Sequence, residues 1–388
     1  MRNREYPIQL FCREPFRIFF PIGLLLAIGG VALWPLYYAG LFNLYPATTH
    51  ARLMIEGFMG SFIFGFLGTA GPRLTSSPHL SLREIAGIFT LDLLAAGFHI
   101  SGAHRIGDIC FVVCLLFFAR TIGIRFQQRK DCPPPNFVLV ALGLASGIAG
   151  TALLAYFETA QYSPLYQLGS ALLHQGFILL PILGVGPFFL NRLLDLPQPE
   201  RPESRAFPPG WFRQAVLPAI VGLAILGTFF LETLGQPDAG RWIRAATIVF
   251  YLAARMPFHG RTFLADCLRG AILSIAIGFI VVALFPIYRT AALHIVFITG
   301  FNLMVFTVAI RVVFGHSGAA HLFQKRLPFF IATILLLFLA MLSRISADLA
   351  PSMRTPHLAA AAICWLAAAL IWIIRVIPKV IVVEAEEE

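Results

Sequence analysis

The chain is a succession of long apolar runs, each broken by arginine, proline or glycine after about twenty residues. That repeat fixes the solvent most of the chain must meet. A transmembrane helix needs about 20 apolar residues to cross the hydrocarbon core. Twelve runs meet or approach that length, at 18–41, 49–71, 85–102, 104–124, 136–158, 165–190, 213–233, 241–257, 267–286, 290–313, 327–347 and 356–377. The third, fourth and eighth are short or interrupted by polar residues. Of 388 residues, 58% are hydrophobic and 12% charged, and the mean hydropathy is +0.80. A soluble domain carries about 25% charge, so this chain lacks the polar surface to face water. The expected fold class is an all-α polytopic membrane protein of about 12 transmembrane helices, forming one transmembrane domain over 1–388. It reads as half one 1–191, a cytoplasmic linker 192–211 rich in proline and charge, and half two 212–388.

The net charge of +10 does not imply nucleic acid, because the basic residues punctuate the apolar runs and form no patch. Counted at helix ends, as the positive-inside rule requires, 22 of the 29 basic residues fall on one side if the N-terminus is cytoplasmic. The other side holds Arg52, Arg105, Arg241, Arg244, Arg289, Arg344 and Arg354. The expectation is a multi-pass membrane protein with both termini cytoplasmic; its partner is the lipid bilayer, and no protein partner follows from the sequence. The acidic tail Glu384 to Glu388 contributes little to this bias. The first apolar run lacks a small-residue cleavage site and reads as a retained span. Neither a Cys-x-x-Cys-His haem attachment motif nor a Gly-rich phosphate loop occurs. The six cysteines, Cys12, Cys110, Cys114, Cys132, Cys267 and Cys364, do not suggest a disulfide framework.

A faint internal echo links the halves. His104 and Arg120 bracket the fourth run at a separation of 16, and His294 and Arg311 bracket the tenth at 17.

Ionisable groups within a bilayer are costly and are functional candidates by default. On this topology His50, His99, His104, His294 and His357 lie near outward helix ends, and His174 lies deeper in the sixth run. His79, His259, His316 and His321 fall on the cytoplasmic side. Imidazole is the ligand shared by b-type haem, copper and zinc. Two histidines at similar depth could hold a haem b, one on each face of the iron, with His50, His294, His104, His99 and His174 the candidates. Arg52 or Arg105 would face the haem propionates. For a metal ion the candidates are His50, His294 and His357, with Cys110 and Cys114 as a soft pair suited to Cu(I). Membrane-interface placement is the plain alternative for each histidine, and small apolar packing is the plain alternative for the thiols. Arg52 and Glu56 stand four apart on one helical face, as an ion pair requires. Asp92 shares a face with His99, and Asp108 shares one with His104, where it would orient the imidazole.

Two stretches carry a resemblance. One runs His294, Gly300, Asn302, Arg311 and Gly315-His316-Ser317-Gly318. The other runs Pro15-Phe16-Arg17, His50, Gly57-Phe58 and Gly65-Phe66-Leu67-Gly68-Thr69-Ala70 with Pro72, joined by Gln175-Gly176-Phe177 to Phe189 and Arg192. Together they resemble the NnrS family, from about Pro15 to about Leu322. The resemblance implies a polytopic inner-membrane protein with haem and copper, acting in the nitric oxide response or in denitrification. Nitric oxide or another small diatomic is then the ligand. His50 matches the first histidine of the family's His-Ala-His-Glu motif, but Arg52 and Leu53 stand where its second histidine and glutamate would be. Arginine cannot ligate a metal, so one expected ligand position is absent. Ala319 likewise replaces the arginine that follows Gly-His-Thr-Gly in the family. Gly315 to Gly318 also reads as an ordinary helix C-terminus favouring a nearby cation at His316 or Arg311.

A rival reading is a secondary transporter or exporter of a small metabolite, metal or haem. Glu56 and Asp92 would then be cation sites and His174 a substrate contact. Whether the chain is an enzyme stays open at this point.

Overall fold

A computed structural model of the chain describes residues 7–193, 204–256 and 262–382. His259, the linker segment 194–203 and the acidic tail 384–388 lie outside the described residues. Helices make up nearly all of what is described, with no strand among the described residues. After a short lead-in helix, Pro7–Arg13, twelve long helical elements follow. They are α1 (Phe16–Tyr38), α2 (Ala47–Thr75), α3 (Leu82–Ile100), α4 (His104–Gln127), α5 (Pro135–Tyr156), α6 (Pro164–Asn191), α7 (Trp211–Thr233), α8 (Pro237–Arg255), α9 (Phe263–Leu284), α10 (Pro286–Gly315), α11 (Pro328–Leu349) and α12 (Pro351–Val380).

Ten of these are long and apolar enough to cross a membrane. The exceptions are α3, which carries Arg83, Glu84 and Asp92, and α8, which carries Asp238, Arg241, Arg244 and Arg255. Both are 19 residues long, so charge and not length sets them apart. The fold class is that of an all-α, multi-pass membrane protein. Several helices start four or five residues before the apolar run that marks them, because a charged residue near the start interrupts the run. Pro237 and Asp238 open α8. Thr262 caps α9 by accepting from the backbone N–H of Ala265, with Asp266 in the first turn. Proline at the start and acids in the first turn suit the unpaired N–H groups and the dipole there.

The chain divides into two compact units. One comprises Met1–Gly30, Ala47–Val185 and Pro199–Phe229; the other comprises Val31–Pro46, Gly186–Gln198 and Phe230–Glu388.

In the first unit α3 and α4 form an antiparallel hairpin. Gly102, at φ +85°, makes the tight turn, which sets His99 and His104 on either side of it. At the hairpin's other end a capping box joins Ser81 and Glu84. Glu84 also pairs with Arg125 at the end of α4, fixing the register of the two helices. Helix α5 crosses α6 on small residues. A Cβ at Gly150 would lie 2.6 Å from the Leu173 backbone N and 2.8 Å from the Gly169 carbonyl oxygen, so only glycine admits this approach. Ser146, one turn before Gly150, donates to the Leu172 carbonyl at 2.8 Å. Small residues at such spacing are how membrane helices pack closely, and here they seat the part of α6 that carries His174.

In the second unit α9 packs against the middle of α10, and α11 forms a hairpin with α12. Trp372 of α12 is fully buried and stacks on Phe306 at 5.2 Å. Across the α11–α12 turn, Asp348 takes Arg344 at 3.0 Å and Arg354 at 3.8 Å.

Three elements contain a π-helical segment. Leu53–Gly60 of α2, Leu172–Gly176 of α6 and Ile295–Asn302 of α10 are π-helical. Such segments are rare and cluster at functional sites. Here they follow or contain His50, His174 and His294. The echo between α4 and α10 has no counterpart in helix geometry, since α4 is continuous α-helix and α10 is not.

Candidate functional site

The first unit gathers a buried charged network at one end of its helices. Arg52, at the last α-helical position before the π segment of α2, is 2% exposed. Its Nε donates to Asp108 Oδ1 of α4 at 2.6 Å and its Nη2 to Asp108 Oδ2 at 3.2 Å. This two-pronged arrangement is the strongest geometry a guanidinium and a carboxylate adopt. The Arg52–Glu56 pair expected from the i,i+4 spacing is present at 3.3 Å. Arg52 Nη1 donates to His174 Nε2 of α6 at 3.1 Å. Arginine only donates, so His174 holds its lone pair on Nε2 and its proton on Nδ1, which lies 3.1 Å from Ser170 Oγ.

His99 is the hub on the other flank. Its Nε2 lies 2.9 Å from Glu56 Oε2 and 3.8 Å from Asp108 Oδ1. Its Nδ1 lies 3.4 Å from His104 Nδ1, with the two rings stacked at 5.6 Å. Thr49 Oγ donates to the His99 carbonyl at 3.2 Å. The ring occupies space that Gly107 leaves open, since a Cβ there would sit 2.5 Å from His99 Cε1. Glu56, His99 and Asp108 offer ligand atoms all within 4.8 Å of one another. Deeper in the same unit, Asp92 accepts from Ser61 Oγ at 2.6 Å. All three carboxylates and His99 are 1% exposed.

One expectation is corrected here. Asp108 engages Arg52 and approaches His99, and His104 meets His99 in place of the carboxylate on its own helix. A buried carboxylate is stabilised most by an opposite charge, and Arg52 supplies it from another span. Sequence reasoning named every charged member of this network but missed Arg52–Asp108 as a pair, along with Thr49, Ser61 and Ser170. The rule that intramembrane charges pair with one another was the signal for the former.

The remaining candidates sit elsewhere. His50, half-buried in the first unit, donates from Nδ1 to the Gly30 carbonyl at 2.9 Å. In the second unit, half-buried His294 donates from Nδ1 to the Thr290 carbonyl at 2.7 Å. His357 lies against Ser343, whose Oγ donates to the His357 carbonyl at 2.8 Å. Cys110 is half-buried, and Cys114 is buried with its thiol directed at the Ile88 carbonyl at 3.5 Å. Arg105 is exposed. Arg311 lies over the Phe323 ring at 3.9 Å. His316 begins the turn that closes α10, in which Gly318 has φ +69° and the Ala319 N–H returns to the Phe314 carbonyl at 3.0 Å. This is a glycine C-cap, so the glycine of that motif has a structural reason.

These features define a polytopic α-helical membrane protein with a buried, ion-paired histidine–carboxylate network. The sequence profile described as NnrS protein matches residues 10–382, and the chain belongs to that family. Membership places it among membrane proteins associated with the nitric oxide response. A search of curated proteins finds no match.

Proposed function

We propose that this protein holds haem b in the bacterial inner membrane and acts in the nitric oxide response or denitrification. His50 of the first unit and His294 of the second are, each by itself, the histidines we assign as haem ligands. The observation that supports them is shared: each donates Nδ1–H to a backbone carbonyl. That bond sets the tautomer, puts the lone pair on Nε2 and orients the ring, as the outer partners of metal-ligating histidines do. Both residues fit as haem ligands on this test. The π segments that follow them, Leu53–Gly60 and Ile295–Asn302, are of the kind found at functional sites.

Haem iron supplies a binding position for nitric oxide; the protein's own residues hold and orient the imidazoles. His99, His104 and His174 are assigned to the ion-paired network and not to iron. Copper at the family's second-histidine position does not fit, because the group there is a guanidinium clasped by Asp108. Copper at Cys110 and Cys114 is supported by their spacing alone. Arg105 remains exposed and suited to a propionate, whereas Arg52 is engaged by Asp108, Glu56 and His174. Termini on the cytoplasmic side follow from the distribution of basic residues.

Optical spectra of the purified protein, expressed with haem supplied, test this reading. A Soret band that weakens or shifts in both His50→Ala and His294→Ala supports it. An unchanged band in both variants removes these residues as ligands. The transporter reading is favoured by one observation, the burial of Glu56 and Asp92 in a single unit. Substrate-dependent flux in vesicles, with no bound haem, would establish it instead.

A further inference from the structure

The network in the first unit has a charge imbalance and a path to its edge. Arg52 contributes one positive charge, and Glu56 and Asp108 two negative ones, all 1–2% exposed. An uncompensated charge in so dry a setting is costly, so one proton is needed to bring this group to neutrality. His99 is placed to deliver it. It is the residue whose two ring nitrogens both face titratable partners, Nδ1 toward His104 and Nε2 toward Glu56. His104 is half-buried, at the margin of the cluster.

We propose that His104, His99 and Glu56 form a proton-uptake path that loads one proton onto the Glu56–Asp108 carboxylate pair held by Arg52. A proton arriving at His104 Nε2 forms an N–H bond there and releases the Nδ1 proton to His99 Nδ1, 3.4 Å away. His99 releases its Nε2 proton to Glu56 Oε2 over 2.9 Å. Each ring gains one N–H and loses one, and Glu56 passes from carboxylate to carboxylic acid. No electrons move. A tautomer exchange in each ring resets the path. The route ends at the carboxylates because Arg52 does not give up its proton.

The other groups facing this path fit that assignment. His174 accepts from Arg52 and so stays on the far side of the guanidinium. Asp92 is turned to Ser61. Tyr166 interacts electrostatically with Arg52, Cys114 with Glu56 and Asp92, and Glu158 with His99 and His104. The same three ligand atoms would suit a divalent cation by distance. A fixed cation 2.6 Å from Asp108 opposes one and favours the proton. This inference stands apart from haem binding, since its readout needs no cofactor.

The test is infrared difference spectroscopy of the purified full-length protein during a pH jump. Wild type should show a protonated-carboxyl C=O band that disappears in Glu56→Gln. In His104→Gln the band should persist while its rate of appearance falls by about 10²-fold, the cost of removing one positioned proton carrier. His104 is half-buried, so this variant remains informative if Glu56→Gln does not fold. A band insensitive to Glu56→Gln, or equal rates in wild type and His104→Gln, would overturn the proposal. So would stoichiometric Zn²⁺ binding that is lost in both Glu56→Gln and His99→Gln.

Discussion

Replacing Arg52 with methionine removes the only cation that touches both Glu56 and Asp108 among the described residues. Methionine has similar length and suits a buried site, so the chief effect is electrostatic. In wild type the guanidinium makes two hydrogen bonds to Asp108, at 2.6 and 3.2 Å, and lies 3.3 Å from Glu56. For charge centres about 4 Å apart at an effective dielectric constant of about 20, one such pair is worth about 4 kcal/mol. Removing one member of a buried pair costs about 3–5 kcal/mol, because the partner charge stays behind. Arg52→Met is therefore expected to destabilise the protein by about that amount, read by thermal or denaturant unfolding in detergent. Asp108→Asn alone should also destabilise it. The double variant should be more stable than the sum of the singles predicts, by about 2 kcal/mol. Strict additivity would refute the ion-pair reasoning, as would a stability loss in Arg52→Met below about 1 kcal/mol.

Four further outcomes follow from packing and backbone conformation. Gly107→Ala places a Cβ 2.7 Å from both His99 ring nitrogens, so it should cost about 1–3 kcal/mol and shift the His99 and His104 imidazole resonances in NMR spectra. Gly150→Val drives side-chain atoms toward backbone at 2.6 and 2.8 Å and should abolish the monodisperse peak in size-exclusion chromatography. Gly227→Ala, with nothing within 4 Å, should leave that peak intact. Gly318→Ala forces a left-handed residue to carry a Cβ and should cost about 1–2 kcal/mol in thermal unfolding without changing any haem spectrum.

Much of the architecture was legible because lipid imposes a strong code. Helix length and apolarity identified the ten spans, since a buried backbone in hydrocarbon must satisfy itself within each segment, and the charge-interrupted runs of α3 and α8 marked two further helices. The starts of α8, α9, α10 and α12 were displaced because a charged residue near each start, such as Asp266 in α9, interrupts the apolar run although it belongs to the helix. The candidate site was legible as a list and not as a geometry. Residue spacing along one helix shows which side chains share a face, and it gave Arg52 with Glu56 correctly. It also assigned Asp108 to His104, where Arg52 of another span prevails. The π segments left no trace in the apolar pattern, because one extra residue per turn shifts the register without altering composition. His50 and His294 were found from depth and from resemblance, but the carbonyls of Gly30 and Thr290 that set their tautomers became visible only in three dimensions.

The most direct measurement of the central claim is the haem b content per chain of wild-type protein purified from haem-supplied cells. Stoichiometric haem, with a spectrum that changes on addition of nitric oxide, is the predicted result. Protein that is folded and monodisperse yet carries no haem would contradict the account.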